Sequence, residues 1–150
     1  MTEQMQKADR YLSQIRNLAF KINAISEALT ELESRNPANL KAMQFDTIKV
    51  QTSGGDPMLN YIAAEGRYKA DLLAIKTAYS ENRKEAINRI TRLENGVSVE
   101  ILTRRYVLCQ PWETVARGMN YNIYHAQRFL WHKALTEFYS ANADLWPKIQ

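Results

Sequence analysis

Cysteine, histidine and paired carboxylates do most bond-making chemistry in proteins, and this sequence offers few of them. Cys109 is the only cysteine in 150 residues. That excludes an intrachain disulfide and any zinc site built on cysteine pairs. A reactive thiol needs electropositive, partly open surroundings. Cys109 instead follows Val107 and Leu108 at the end of an apolar stretch and reads as a small buried hydrophobe. His125 and His132 are seven positions apart, with no further ligand type at a spacing that suits zinc. Glu27 and Glu31, like Glu81 and Glu85, form i,i+4 pairs that share one solvated helix face. The sequence has no serine–histidine–acid set and no phosphate-binding glycine loop. No enzymatic activity, metal or cofactor is therefore expected.

Arg128 and Gln127 have a different competence. Arginine pairs with guanine, and glutamine with adenine, through two hydrogen bonds each in the major groove of DNA. Both lie in a segment predicted helical over 122–141. If Ala126 and Phe129 point inward, helical geometry turns Tyr124, Gln127, Arg128 and Trp131 outward, with Ile123 and His125 at the margins. Ile123 or Tyr124 suits a thymine methyl group. Arg104, Arg105, Arg117 and Lys133 are candidates for phosphate contact, which positions a protein on DNA without reading its sequence.

Such residues need a scaffold, and the surrounding spacing predicts one. Short helices are expected over 98–109, capped by Ser98, and over 112–119, ahead of the 122–141 helix. A helix-turn-helix requires a small residue where its helices approach, and Ala116 is there. Its turn requires a residue that tolerates positive φ, and Asn120 is the best type after glycine. The space between the helices requires apolar side chains, supplied by Val115, Met119, Tyr121, Ala126 and Phe129.

The rest of the chain predicts two long helices. Met5, Ala8, Leu12, Ile15, Leu18, Ile22, Ile25, Leu29 and Leu32 recur every three or four residues, a continuous apolar stripe over 3–34. Asn36 and Pro37 stop that helix. Residues 35–57 read as a flexible loop, in which Phe45, Ile48 and Val50 dock locally or form a short extended piece. A second stripe, Leu59, Ile62, Leu72, Ile75, Tyr79, Ala86, Ile90 and Leu93, predicts a helix over 58–95, ended by Asn95-Gly96. Stripes this long bury each other most readily in an antiparallel, coiled-coil-like hairpin, paired again in a homodimer. The expected fold class is all-α: this hairpin, then a helix-turn-helix domain over 97–150.

Bulk properties agree. No apolar run approaches the roughly 18 residues that span a bilayer, and the N-terminus lacks the apolar core of a secretory signal. A cytoplasmic protein without a membrane partner is expected. The net charge of +4 favours polyanionic partners. Basic and acidic residues balance at seven each over 1–59, then run seven to five over 60–96 and six to four over 97–150, which puts the excess in the second half.

The run from Leu102 to Tyr106 (Leu-Thr-Arg-Arg-Tyr), the run from Pro111 to Ala116 (Pro-Trp-Glu-Thr-Val-Ala), Met119-Asn-Tyr and Ala134-Leu135 resemble region 4 of sigma-70-type factors. The chain resembles still more closely the small phage and prophage late-gene transcriptional regulators of the ArpU and RinA kind. That resemblance extends to Tyr11-Leu-Ser-Gln-Ile-Arg16 and to the unusual string Val50-Gln-Thr-Ser-Gly-Gly-Asp-Pro-Met58. It implies phage transcription control through double-stranded DNA, in the cytoplasm of a bacterial host. The family pattern has Ser at Pro111, Gly at Asn120, and Ser-Tyr-Arg-Gln where this chain reads Asn122-Ile-Tyr-His. Loss of the hydroxyl cap is worth about 1 kcal/mol, and the changed helix implies a different target. Two alternatives are a sigma-like module that contacts RNA polymerase without gripping DNA alone, and a small-terminase-like subunit for DNA packaging.

Overall fold

The computed structural model describes residues 1–38 and 56–147, and every regular element among them is helical. The expected loop over 35–57, with Phe45, Ile48 and Val50, falls mostly outside the described residues. Helix α1 spans Glu3–Ser34. Its start is capped by Thr2, whose hydroxyl oxygen accepts from the Met5 amide at 3.2 Å. Helix α2 spans Pro57–Ile90, with proline at its first position and the Asp56 carboxylate accepting from the Met58 amide at 2.9 Å. No described helix is long and apolar enough to cross a membrane.

Helix α2 ends earlier than Asn95-Gly96 predicts. Tight i→i+3 bonds from Arg92 to Arg89 and from Leu93 to Ile90 close it, and they turn Leu93 into the core. Asn95 then starts the next helix instead of ending the last. Its backbone is extended, and its side chain accepts from the Val97 amide at 3.0 Å. Gly96 is the first residue of α3, Gly96–Leu102. Ser98, the expected cap, is buried within the first turn.

A π-helical turn, Thr103–Val107, continues α3. Helix α4 is Trp112–Met119, as predicted. The next helix starts at Ile123 and is interrupted. Helix α5 is Ile123–His125, a second π turn is Ala126–Leu130, and α6 is Trp131–Ala141. A 3-10 turn, Ala143–Leu145, comes last.

The described residues form two compact units. The first contains residues 1–18 and 79–150. All the fully buried side chains lie in it: Ala8, Leu12 and Ile15 of α1, Ala86 and Ile90 of α2, and a set from the short helices centred on Ile101, Leu102, Tyr106, Leu135 and Phe138. Asn142 is a buried polar tie in the same unit. Its amide donates to the Phe138 carbonyl at 3.0 Å, and its carbonyl accepts from Arg92 at 3.1 Å and Arg89 at 3.3 Å. The second unit, residues 19–78, has no buried side chain among its described residues. Leu59 and Ile62, expected in the apolar stripe, are exposed there, as are Phe20 and Leu73. Ion pairs one helical turn apart occur on both of its helices or just beyond them, Glu31–Arg35 at 2.6 Å and Glu65–Lys69 at 2.8 Å.

Candidate nucleic-acid interface

The expected site residues lie on the last three helices and the π turns between them. Helix α4 ends at Asn120, which adopts the left-handed conformation with φ 59°. The Tyr121 amide donates to the Ala116 carbonyl at 2.9 Å, and the Asn120 amide to Arg117 at 3.2 Å. This pair of bonds is a Schellman closure, which reverses the chain in a few residues. Asn122 then caps α5, its side chain accepting from the Tyr124 amide at 2.8 Å. Val115, Ala116, Met119 and Ala126 are buried, so this part of the sequence expectation holds.

Tyr121 and Phe129 do not fill that space: both are exposed, Phe129 at 66%. For Phe129 the cause is the π turn at Ala126–Leu130. Closing i→i+5 bonds adds one residue to the turn, so positions along and beyond it rotate by up to about 100° relative to an α-helix. Leu130 and Trp131 pack against the core instead. The same effect ends the preceding helix at Val107, which is buried where Cys109 was expected. Cys109 is half-buried, has a left-handed backbone with φ 54°, and its thiol is pushed up by burial.

Trp131, expected to face outward, is a structural residue. Its indole Nε1 donates to the Tyr106 hydroxyl at 3.0 Å, and its ring meets Trp112 edge-on at 5.1 Å. Tyr106 in turn donates to Asp9 of α1 at 2.5 Å. On the other side of Trp112 sits the Arg105 guanidinium, 4.8 Å above the ring. Arg105 also donates to the Gln110 carbonyl at 3.0 Å. Burial, with Arg16 adding repulsion, pulls its charge below the usual arginine range. Arg104 is engaged too, donating to Glu100 at 3.0 Å and to the Gln110 side chain at 3.4 Å. Its guanidinium lies on Gly118, where a Cβ would collide with it. These two arginines, expected at phosphates, are engaged within the chain and tie the turn after α3 to α4.

The outward face has other members. Tyr124, His125, Arg128, Lys133 and Arg117 are exposed, while Gln127 and Ile123 are half-buried, Ile123 against the core. The Arg128 guanidinium lies 5.9 Å from the Tyr124 ring centroid. His125 is sandwiched between Tyr121 and Phe129, with ring centroids 5.5 and 5.4 Å apart. Arg128 has no acidic residue within one helical turn in the sequence, whereas Arg117 and Lys133 have Glu113 and Glu137 four positions away on their own helices. Sequence reasoning missed Tyr121 and Phe129 as surface residues, because only the π turn exposes the latter. No cluster of three or more His, Cys, Asp or Glu among the described residues could hold a metal. Compared with known proteins, the chain matches no family model, no curated protein and no solved structure.

Proposed function

We propose that this protein is a phage transcriptional regulator that binds promoter or operator DNA through a helix-turn-helix made by α4 and the α5–α6 segment. The observation that carries the reading is the turn at Asn120 together with the helix after it. A Schellman closure there joins two helices whose facing residues are small or apolar, and the second segment exposes Arg128 and Lys133. In a helix-turn-helix that second helix enters the major groove. Arg128 and Gln127 then read bases, Tyr124 and His125 line the same face, and Arg117 and Lys133 grip phosphates. Trp131 and Ile123 position the helix from behind. The transcriptional and phage assignments rest on the resemblance of the Leu102–Tyr106 and Pro111–Ala116 runs to sigma region 4 and to the late-gene regulators.

The long helices serve assembly in this reading. Glu33, near the end of α1, and Asn36, just beyond it, are in the surroundings of Tyr61 near the start of α2, which supports an antiparallel hairpin. The absence of buried side chains among the described residues of 19–78 leaves the exposed Leu59, Ile62 and Leu73 for a second copy. A dimer presents two recognition helices to two half-sites.

The test is fluorescence anisotropy with labelled duplexes at two salt concentrations. Arg128→Ala is expected to weaken specific binding about tenfold to a hundredfold and to relax one base pair. Arg117→Ala is expected to weaken all duplexes alike and to lower the salt dependence by about one ion. If Arg128→Ala and Gln127→Ala stay folded and bind as tightly and selectively as the parent, the helix does not read bases. The exposed rings of Tyr124 and Phe129 would then favour the polymerase-contact reading.

A further inference from the structure

We propose that the row Tyr121–His125–Phe129 reads thymine methyl groups beside the base held by Arg128, with Phe129 as the residue that sets this preference. The inference rests on the DNA-binding reading and deepens it. Single exposed apolar side chains are ordinary on protein surfaces. This row is continuous, since the His125 ring lies tilted between those of Tyr121, in the turn before the helix, and Phe129, with centroids 5.5 and 5.4 Å away. Phe129 is 66% exposed and Tyr121 40% exposed, so the row's apolar area stands in water. Rings in contact with one another and open to water form a surface that a binding partner can cover.

Charge decides the kind of partner. Arg128, beside this row, is exposed and has no acidic residue within one helical turn in the sequence, which suits an anionic partner such as nucleic acid. In the major groove the one apolar group on a base-pair edge is the thymine C5 methyl, and phenylalanine is among the side chains that contact it. Arg128 is held next to the row by the Tyr124 ring at 5.9 Å. A guanine contact by Arg128 and methyl contacts by the neighbouring rings therefore fall on adjacent base pairs. Ile123, the sequence-level candidate for this contact, packs against the core and leaves the role to Phe129.

The experiment uses the full chain and a duplex recovered by selection from a random 20-base-pair pool. Each thymine in the selected duplex is replaced by deoxyuridine, which keeps base pairing and removes only the methyl. Wild-type affinity is expected to fall about fourfold at one or more thymines within the protected segment, the effect of one buried methyl-sized group. Phe129→Ala is expected to bind the thymine and deoxyuridine duplexes equally. Uniform deoxyuridine substitution that leaves wild-type affinity within twofold overturns the inference while the DNA-binding reading stands. So does a folded Phe129→Ala protein that keeps the full discrimination. If no duplex is enriched or bound at all, the DNA-binding reading fails, and this inference fails with it.

Discussion

Tyr106 shows how much can depend on one hydroxyl. Its oxygen donates to Asp9 and accepts from Trp131, so one atom links α1, α3 and α6 within the first unit. Tyr106→Phe leaves two polar groups without that partner and should destabilise the protein by about 1–3 kcal/mol in urea unfolding. Burial, reinforced by Asp9, raises the folded-state Tyr106 pKa far above its ordinary value near 10. Stability from the neutral hydroxyl is therefore complete below the ordinary tyrosine pKa. It declines as the pH rises further, because the unfolded chain ionises there and the folded chain does not. Unfolding midpoints compared at pH 8 and pH 11 should fall less in Tyr106→Phe than in the parent. Asn120 tests the backbone in the same way. With φ 59°, Asn120→Ala should lose about 1 kcal/mol, whereas Asn120→Gly should match or exceed the parent. Equal losses in the two variants would mean that the asparagine side chain, and not the left-handed backbone, matters.

Helices were legible in the sequence wherever periodicity ran long, and illegible where a π turn broke the period. The bounds of α1 and α4 follow from stripe, cap and Asn120, because each signal is local. Asn95-Gly96 was ambiguous in principle, since asparagine both ends and begins helices, and packing of Leu93 decided between them. Nothing in the one-dimensional pattern places the π turns at Thr103–Val107 and Ala126–Leu130. An α-helical count therefore exchanges the roles of Phe129 and Trp131. Substitution checks the exchange directly. Trp131→Ala removes the ring against Trp112 and the bond to Tyr106, and should cost about 2–4 kcal/mol of stability. Phe129→Ser, at an exposed position, should stay within about 0.5 kcal/mol of the parent. A large loss in Phe129→Ser and none in Trp131→Ala would restore the uninterrupted helix.

At the scale of the whole molecule, buried side chains are confined to the unit of residues 1–18 and 79–150. The described parts of 19–78 have amphipathic helices without a core, a composition that suits association better than independent stability. Light scattering on the full chain should therefore give twice the chain mass at micromolar concentration. Leu59→Ser together with Leu73→Ser should lower it towards the monomer, and a monomer mass in the parent would remove the dimer. The central claim is that the α4–α6 region meets DNA through the face that exposes Tyr124 and Arg128, and backbone amide chemical-shift mapping with duplex DNA tests it most directly. Adding a bound duplex should shift the amides of Tyr121–Lys133 and Arg117 most, leaving those of 19–34 and 57–78 nearly in place. Shifts concentrated in the long helices, or none at saturating DNA, would contradict it.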